Sequence, residues 1–270
     1  LLGSDGETYH LELAGDEEMV VSFPIPSRFA GAPSDFERIG GRSYLYDGAL
    51  LALFRTLQGD ERGAARVLGA LQALQLEDGA WGFSLDWEEG SYDSGYVRTG
   101  TVAWIVYAFA RFEARFGETR FAATARRGGL WLLEQREETT GLVLVGRGVW
   151  TPQGLAPAPS QLVVTEHQID AYFAWAALAA LEPEGPWAAA ASALADRILA
   201  MLWIEEEGRF AQGKNEAGLD RGSAVDAAGA WGALFLLAIG EEAKARRALS
   251  WVDLHHGLEE TGYRPYASGP

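Results

Sequence analysis

Apolar residues recur at helical spacing along most of this chain, and four short breakers divide the helical stretches into pairs. The breakers are Gly59-Asp60, Gly117-Glu118, Pro183-Glu184-Gly185-Pro186 and Gly240-Glu241. They recur at intervals of about 55 to 70 residues, each long enough for two helices and a loop. The first pair is predicted from Ser43 to Gln75. Leu50, Leu53, Phe54 and Leu57 recur before its break, and Ala64, Val67, Leu68, Leu71 and Leu74 after it. The second pair is predicted at 99–116 and 119–135, with Val102, Ile105, Val106, Phe109 and Phe112 making its first helix apolar nearly all round. The third is predicted at 166–181 and 187–203, and the fourth at 223–239 and 241–254.

Within each pair the first helix is the more apolar, and the second carries the charges. Glu61, Arg62 and Arg66, then Arg120, Arg126 and Arg127, then Glu241, Lys244, Arg246 and Arg247 mark these second helices. A helix apolar on all sides packs inside, and an amphipathic one outside. Eight helices alternating inner and outer predict an all-α fold, an α/α toroid or a superhelical array of hairpins. A closed barrel of six hairpins needs about two more pairs at this repeat length. The toroid is therefore expected to be open or incomplete, with 263–270 a loop leading onward.

Residues 1–40 depart from this pattern. Segments 9–13 and 19–23 alternate or run apolar as short strands do, with Gly15-Asp16 at a turn. Pro24, Pro26 and Pro33 then forbid a continuous helix. They predict a small β-hairpin and extended strap over 1–40, ahead of a toroid domain over 41–270.

Composition removes several function classes. A 48% apolar content supports a substantial core, and no uninterrupted apolar run is long enough for a transmembrane helix. The absence of cysteine excludes disulfides and thiolate zinc sites. A net charge of −16 argues against nucleic acid or an anionic membrane as partner. Leu1 opens the chain without a basic segment followed by an apolar one, so a removed leader or a shortened start is expected. These features fit a soluble bacterial protein, cytoplasmic or secreted, and leave its oligomeric state open. His167, His255 and His256 have no metal-ligand spacing, and no phosphate-cradling fingerprint or Gly-x-Ser-x-Gly elbow occurs. No metal and no cofactor is expected.

The long loops between pairs carry the candidate chemistry. If the inner helices all begin at the long-loop end, their N-termini share one mouth. Those starts read Tyr46-Asp47, Arg98-Thr99, Thr165-Glu166-His167 and Val225-Asp226. Acids in a first turn also complement the helix dipole, and Thr165-x-x-Gln168 and Ser223-x-x-Asp226 resemble capping boxes. That explanation suits Asp47 poorly, a full turn past Ser43. It also suits Glu166 and Asp170 poorly, four apart on a helix expected to be buried. Carboxylates gathered at a mouth lined with aromatics suit glycosidic bond cleavage, which needs a protonated acid and an ionised partner. Trp81, Trp87, Tyr92, Tyr96 and Trp150 fall in loops, where rings can stack on sugars. Asp78 and Trp87 bracket one such loop around Trp81.

Gln75-Leu-Glu-Asp-Gly-Ala-Trp-Gly82 resembles the glutamine–tryptophan repeat of terpene cyclases, which joins an outer helix to the next inner one in α/α toroids. The Asp-x-Asp-Asp signature of the protonating members is missing. The wider pattern is similar to bacterial six-hairpin glycosidase-type proteins. Tyr44-Leu-Tyr-Asp-Gly-Ala-Leu50, Arg98-Thr-Gly-Thr-Val-Ala-Trp104, Thr165-Glu-His-Gln-Ile-Asp-Ala-Tyr172, Asp226-Ala-Ala-Gly-Ala-Trp231 and Gly262-Tyr-Arg-Pro-Tyr266 carry that resemblance. It implies an α/α barrel with an oligo- or polysaccharide bound at the helix mouth.

The expectation is a carbohydrate-active enzyme, most simply a glycoside hydrolase. Glu166 is the expected general acid, and Asp47 or Asp226 the base or nucleophile. Asp170 and Arg98 are expected to orient the acid, His167 to bind hydroxyls together with Asp78 and Tyr46, and Trp81, Trp87 and Trp231 to form sugar platforms. A polysaccharide lyase or sugar epimerase using Tyr46, Arg98, His167 and Tyr172 is the alternative. A non-catalytic repeat binding a glycan or protein is the other.

Overall fold

In the computed structural model the described residues are 42–86, 91–92, 95–151, 154–258 and 262–267, together with Ser22. Among them the chain forms four helical hairpins. Helix α1 (Leu45–Gln58) turns back on α2 (Glu61–Ala73), α3 (Thr99–Phe116) on α4 (Ala122–Glu134), and α5 (Thr165–Leu181) on α6 (Trp187–Leu202). A π-helical turn at Asp226–Ala230 leads into α7 (Trp231–Ala238), which pairs with α8 (Glu242–His256).

The breakers act through backbone geometry. Gly59, Gly117 and Gly240 adopt φ of 77°, 70° and 82°, the left-handed region that ends helices at low cost only for glycine. Asp60 then caps α2, its Oδ1 accepting from the Gly63 amide at 2.9 Å. Helix α4 begins at Ala122, three residues later than the pattern predicts. The Glu113 carboxylate binds the Phe121 amide at 2.6 Å and holds the preceding residues out of the helix.

Helices α1, α3, α5 and α7 pack in sequence as an inner row, each backed by its hairpin partner. Trp175, Trp187, Phe109, Phe112 and Phe235 are fully buried between the layers. The face that α1 buries is not its large-residue stripe. Leu45, Gly48, Ala49 and Ala52 face inward, whereas Leu50, Phe54 and Leu57 are exposed. Small side chains let α1 lie close against α3, and its other flank has no inner neighbour among the described residues. On α7, Leu234 and Leu237 are likewise exposed. No helix among the described residues is long and apolar enough to cross a membrane.

The long connections contain short antiparallel strands that the helical pattern did not reveal. Strand Arg42–Tyr44 runs into α1, Val97–Arg98 into α3 and Val163–Val164 into α5. They pair respectively with Ser84–Asp86, Gly146–Thr151 and Gly213–Asn215. Helices α1, α3 and α5 therefore start at positions fixed by ladders, and the last extended residue caps each without a side-chain bond. The predicted hairpin and strap over 1–40 lie outside the described residues except for Ser22, whose amide donates to Arg42 O at 3.0 Å.

Candidate active site

A hollow of about 760 Å³ opens where the inner helices begin, a size typical of small-ligand sites. Helix α1 contributes Tyr46, and the start of α3 contributes Arg98, Gly100, Thr101 and Trp104. Helix α5 adds Glu166, His167 and Asp170, and the π turn with α7 adds Asp226, Ala230, Trp231 and Leu234. Phe83, Tyr96 and Val145 complete the wall from the connections.

Three residues with carboxyl groups, Glu166, Asp170 and Asp226, line this hollow. Glu166 and Asp226 lie within hydrogen-bonding reach of each other, so one of them must carry a proton. Burial first, then Asp226, raises the Glu166 carboxyl to about 8. Asp170, one turn deeper, is held well above the ordinary carboxylate range, first by burial. The indole of Trp231 donates to its Oδ1 at 2.8 Å, and Glu166 and Asp226 disfavour a further negative charge. His167 lies alongside, its Nε2 3.7 Å from Glu166 Oε1. Burial, and then the Arg98 charge, lowers its pKa to about 4, so the imidazole is neutral at physiological pH. Its Nδ1 is buried, with no hydrogen-bond partner among the described residues.

Arg98 is clamped rather than mobile. Its Nη1 donates to Arg147 O at 2.8 Å and Val97 O at 3.0 Å, its Nη2 to Gly148 O at 3.1 Å, and its guanidinium lies over the Tyr96 ring. It thus ties the 146–151 strand to the mouth while placing positive charge beside His167. Aromatic rings flank the acids on two sides. Phe83 packs between Tyr46 and Tyr96, with centroids 6.3 and 5.4 Å away. Trp104 and Trp231 stack at 5.3 Å with an interplanar angle of 18°. The Asp170 bond fixes the rotation of Trp231, so one buried acid orients an aromatic wall.

The α3 backbone approaches this cluster closely at Gly100. A Cβ there lies 2.6 Å from His167 Cδ2 and 2.9 Å from Asp170 Oδ2. Gly100→Ala is therefore expected to displace both side chains. A stability loss of about 1–3 kcal/mol is expected from overpacking, read from urea unfolding, with turnover falling alongside.

Seven of the residues expected at the mouth meet in the hollow: Glu166, Asp226, Asp170, His167, Arg98, Tyr46 and Trp231. Four others do not. Asp47 is not on the wall; its carboxylate, raised by burial, hydrogen-bonds Ser22. Trp81 is fully buried and its Nε1 donates to Leu71 O at 2.6 Å, so no ring face is open to a sugar. Asp78 caps its own turn, accepting from the Ala80 amide at 3.1 Å, and pairs with Arg147. Tyr172 packs against Phe173 and Phe235 instead of facing the hollow. Trp87 lies outside the described residues.

The expected capping boxes are also absent. Thr165 Oγ1 donates to Ala211 O at 2.6 Å, and the Gln168 amide binds both backbone groups of Val143 at 2.7 Å. Ser223 Oγ bonds His256 Nε2 at 2.6 Å. Glu166 is thus left free of local capping. Asp226 does bind its neighbour's amide, Ala227 N, at 2.7 Å.

Phe83, Thr101, Trp104 and Leu234 join the wall without having been singled out as site residues. Thr101 and Trp104 are three apart on α3, and Ala230 and Leu234 continue the face of Asp226 at four-residue spacing. Trp231 falls five residues after Asp226, off that face in an α-helix. The π turn, closed by Trp231 N to Asp226 O, brings it round. Among the described residues no three His, Asp or Glu side chains are grouped to hold a metal ion.

No known family's sequence profile matches the chain, and no curated protein matches it in sequence. Its fold is similar to solved structures. Cellobiose 2-epimerase from Bacillus thermoamylovorans superposes with a TM-score of 0.67 at 10% identity, over 84% of this chain and 64% of that one. A D-mannose isomerase gives 0.62 at 13% identity, over 83% and 64%. A GH76 α-mannanase from Bacteroides thetaiotaomicron gives 0.61 at 10% identity, over 84% and 62%. The chain spans less than two thirds of the length of each. At these identities the likeness establishes the fold, which is an α/α toroid.

Proposed function

We propose that the hollow binds an oligosaccharide and that Glu166 and Asp226 act on it as a proton-sharing acid–base pair, most simply in glycoside hydrolysis. One observation carries this reading: carboxyl groups sixty residues apart in sequence line a single aromatic-lined cavity, where Asp226 raises the Glu166 carboxyl. Two carboxyls in contact hold one proton between them, so one acts as acid while its partner acts as base. Protonated Glu166 then protonates the departing sugar oxygen, and Asp226 takes a proton from the attacking water. Trp231 and Trp104 offer apolar surface for a sugar ring, and His167 stands on the same wall. The resemblance of 75–82 to a terpene-cyclase repeat we read as architectural. Gln75 Nε2 joins the turn at Gly79 O (2.9 Å) to Thr124 O on α4 (3.0 Å).

A second reading, epimerisation or isomerisation of a sugar, is favoured by a specific observation. The pair lies closer than the about 5–10 Å that separates carboxyls flanking a glycosidic bond, and a neutral histidine stands 3.7 Å from it. Proton transfer at a sugar carbon needs such a neutral base. The two readings separate by product. Incubation with a panel of oligosaccharides, aryl glycosides and free aldoses in D2O is expected to release new reducing ends. Epimerised sugar carrying deuterium at carbon replaces the first reading with the second. Binding without turnover removes both.

Because Glu166 must hold its proton, activity is expected to persist at neutral pH and fall as pH rises through about 8. The same shift predicts a stability slope. The folded carboxyl keeps a proton that the unfolded one releases above its ordinary 4.5, so this group's contribution declines between about 4.5 and 8. Initial rates and urea midpoints across pH check both.

A further inference from the structure

Three of the four inner helices begin where a strand ladder ends, and the fourth does not. Ahead of Asp226 the described residues form a single bridge, Ala224 with Tyr266, beside a bond from Val225 N to Pro265 O at 2.9 Å. A histidine supplies the remaining hold. Ala245, Ala248, Val252 and His256 make the buried face of α8, three or four residues apart. The π turn lies directly on that face: a Cβ on Gly229 comes within 2.4 Å of Val252 Cγ2 and 2.8 Å of Ala248 O. One turn beyond Val252, His256 is fully buried and is the only polar member of the four. An apolar side chain would fill the same place, so packing alone does not call for a histidine.

Both ring nitrogens are engaged. A carbonyl oxygen only accepts, so Nδ1 donates to Arg264 O at 2.9 Å, and Arg264 N donates in return to His256 O at 2.8 Å. Nε2 lies 2.6 Å from Ser223 Oγ, three residues before Asp226. The imidazole therefore bridges the segment that enters the π turn and the segment that pairs with it. We propose that His256 is a positioning residue for Asp226, holding the entry to the fourth inner helix through Ser223 and Arg264. The inference rests on the reading of Glu166 and Asp226 as an acid–base pair. His256 touches no substrate in this role. It does for the π turn what a ladder does for α1, α3 and α5.

The readout is the carbon-13 titration midpoint of the Glu166 carboxyl, which Asp226 helps to raise, taken together with kcat and KM. His256→Leu keeps the buried face apolar and removes both bonds. Its Glu166 midpoint is expected to fall by about one pH unit or more. On a cleaved glycoside, kcat is expected to fall about tenfold or more with KM within about twofold. Ser223→Ala leaves the buried face of α8 intact and is expected to move both quantities the same way, so the test survives a leucine variant that does not fold. His256→Gln places an amide oxygen near the position of Nε2 and is expected to restore both toward wild type. A lowered melting temperature with the midpoint unchanged marks a structural role alone and overturns the proposal. So does a folded His256→Gln variant as impaired as His256→Leu. If the variants shift the midpoint while the wild-type chain cleaves no glycoside, the positioning stands and the hydrolytic reading falls.

Discussion

Glu166→Gln is expected to reduce turnover by about 10³-fold or more while leaving the fold intact. The substitution keeps the side chain's shape and can still donate to Asp226, so packing around α5 is preserved. It removes the one proton that the pair can pass to a leaving oxygen. It also removes the mutual repulsion that helps raise the Glu166 carboxyl above its ordinary value, so no loss of stability is expected. Substrate binding should survive, since Trp104, Trp231 and His167 are untouched. The pattern to measure is kcat lost with KM and the urea midpoint retained. Full activity in the folded variant removes Glu166 from the chemistry.

Trp81→Ala is expected to cost about 3–5 kcal/mol of stability, the largest effect on folding among the substitutions considered. The indole is fully buried, lies 6.0 Å from Phe109 centroid to centroid, and donates to Leu71 O at 2.6 Å. Its removal leaves a large cavity between α2 and α3 and deletes a buried hydrogen bond to Leu71 O. Gly128 packs against the same ring, where a Cβ comes within 2.8 Å of it, so the surrounding helices cannot simply close the gap. A platform role predicts the opposite pattern, with normal stability and a raised KM. Urea unfolding alongside KM separates the two, and Trp231→Ala is the matched variant in which KM is expected to rise.

The scaffold was legible because its signals are local. Left-handed glycines at 59, 117 and 240 and the prolines around 183–186 stop helices wherever the rest of the chain lies. The periodicity of Val102, Ile105, Val106, Phe109 and Phe112 needs no partner to be seen. The convergence of Glu166 with Asp226 was also foreseeable, since it needs only that inner helices start at one end. What escaped depends on neighbours distant in sequence. Trp81 sits in a loop by sequence, yet its indole packs beneath that loop into the core. On α1 the large residues Leu50, Phe54 and Leu57 drew attention, but small residues face the neighbouring helix. Asp47 looked equivalent to Glu166, and one hydrogen bond to Ser22 takes it elsewhere. The π turn at Asp226–Ala230 has no simple pattern, though it decides that Trp231 shares a wall with Asp226.

The proposed chemistry depends on two carboxyl groups sharing a proton at the mouth of the inner helices. The most direct measurement is a carbon-13 NMR titration of the Glu166 side-chain carboxyl, in the wild-type chain and in Asp226→Asn. A midpoint near 8 in the wild type that drops when Asp226 loses its charge is the predicted result. A midpoint at the ordinary 4.5, indifferent to Asp226, contradicts the pairing and with it the proposed chemistry.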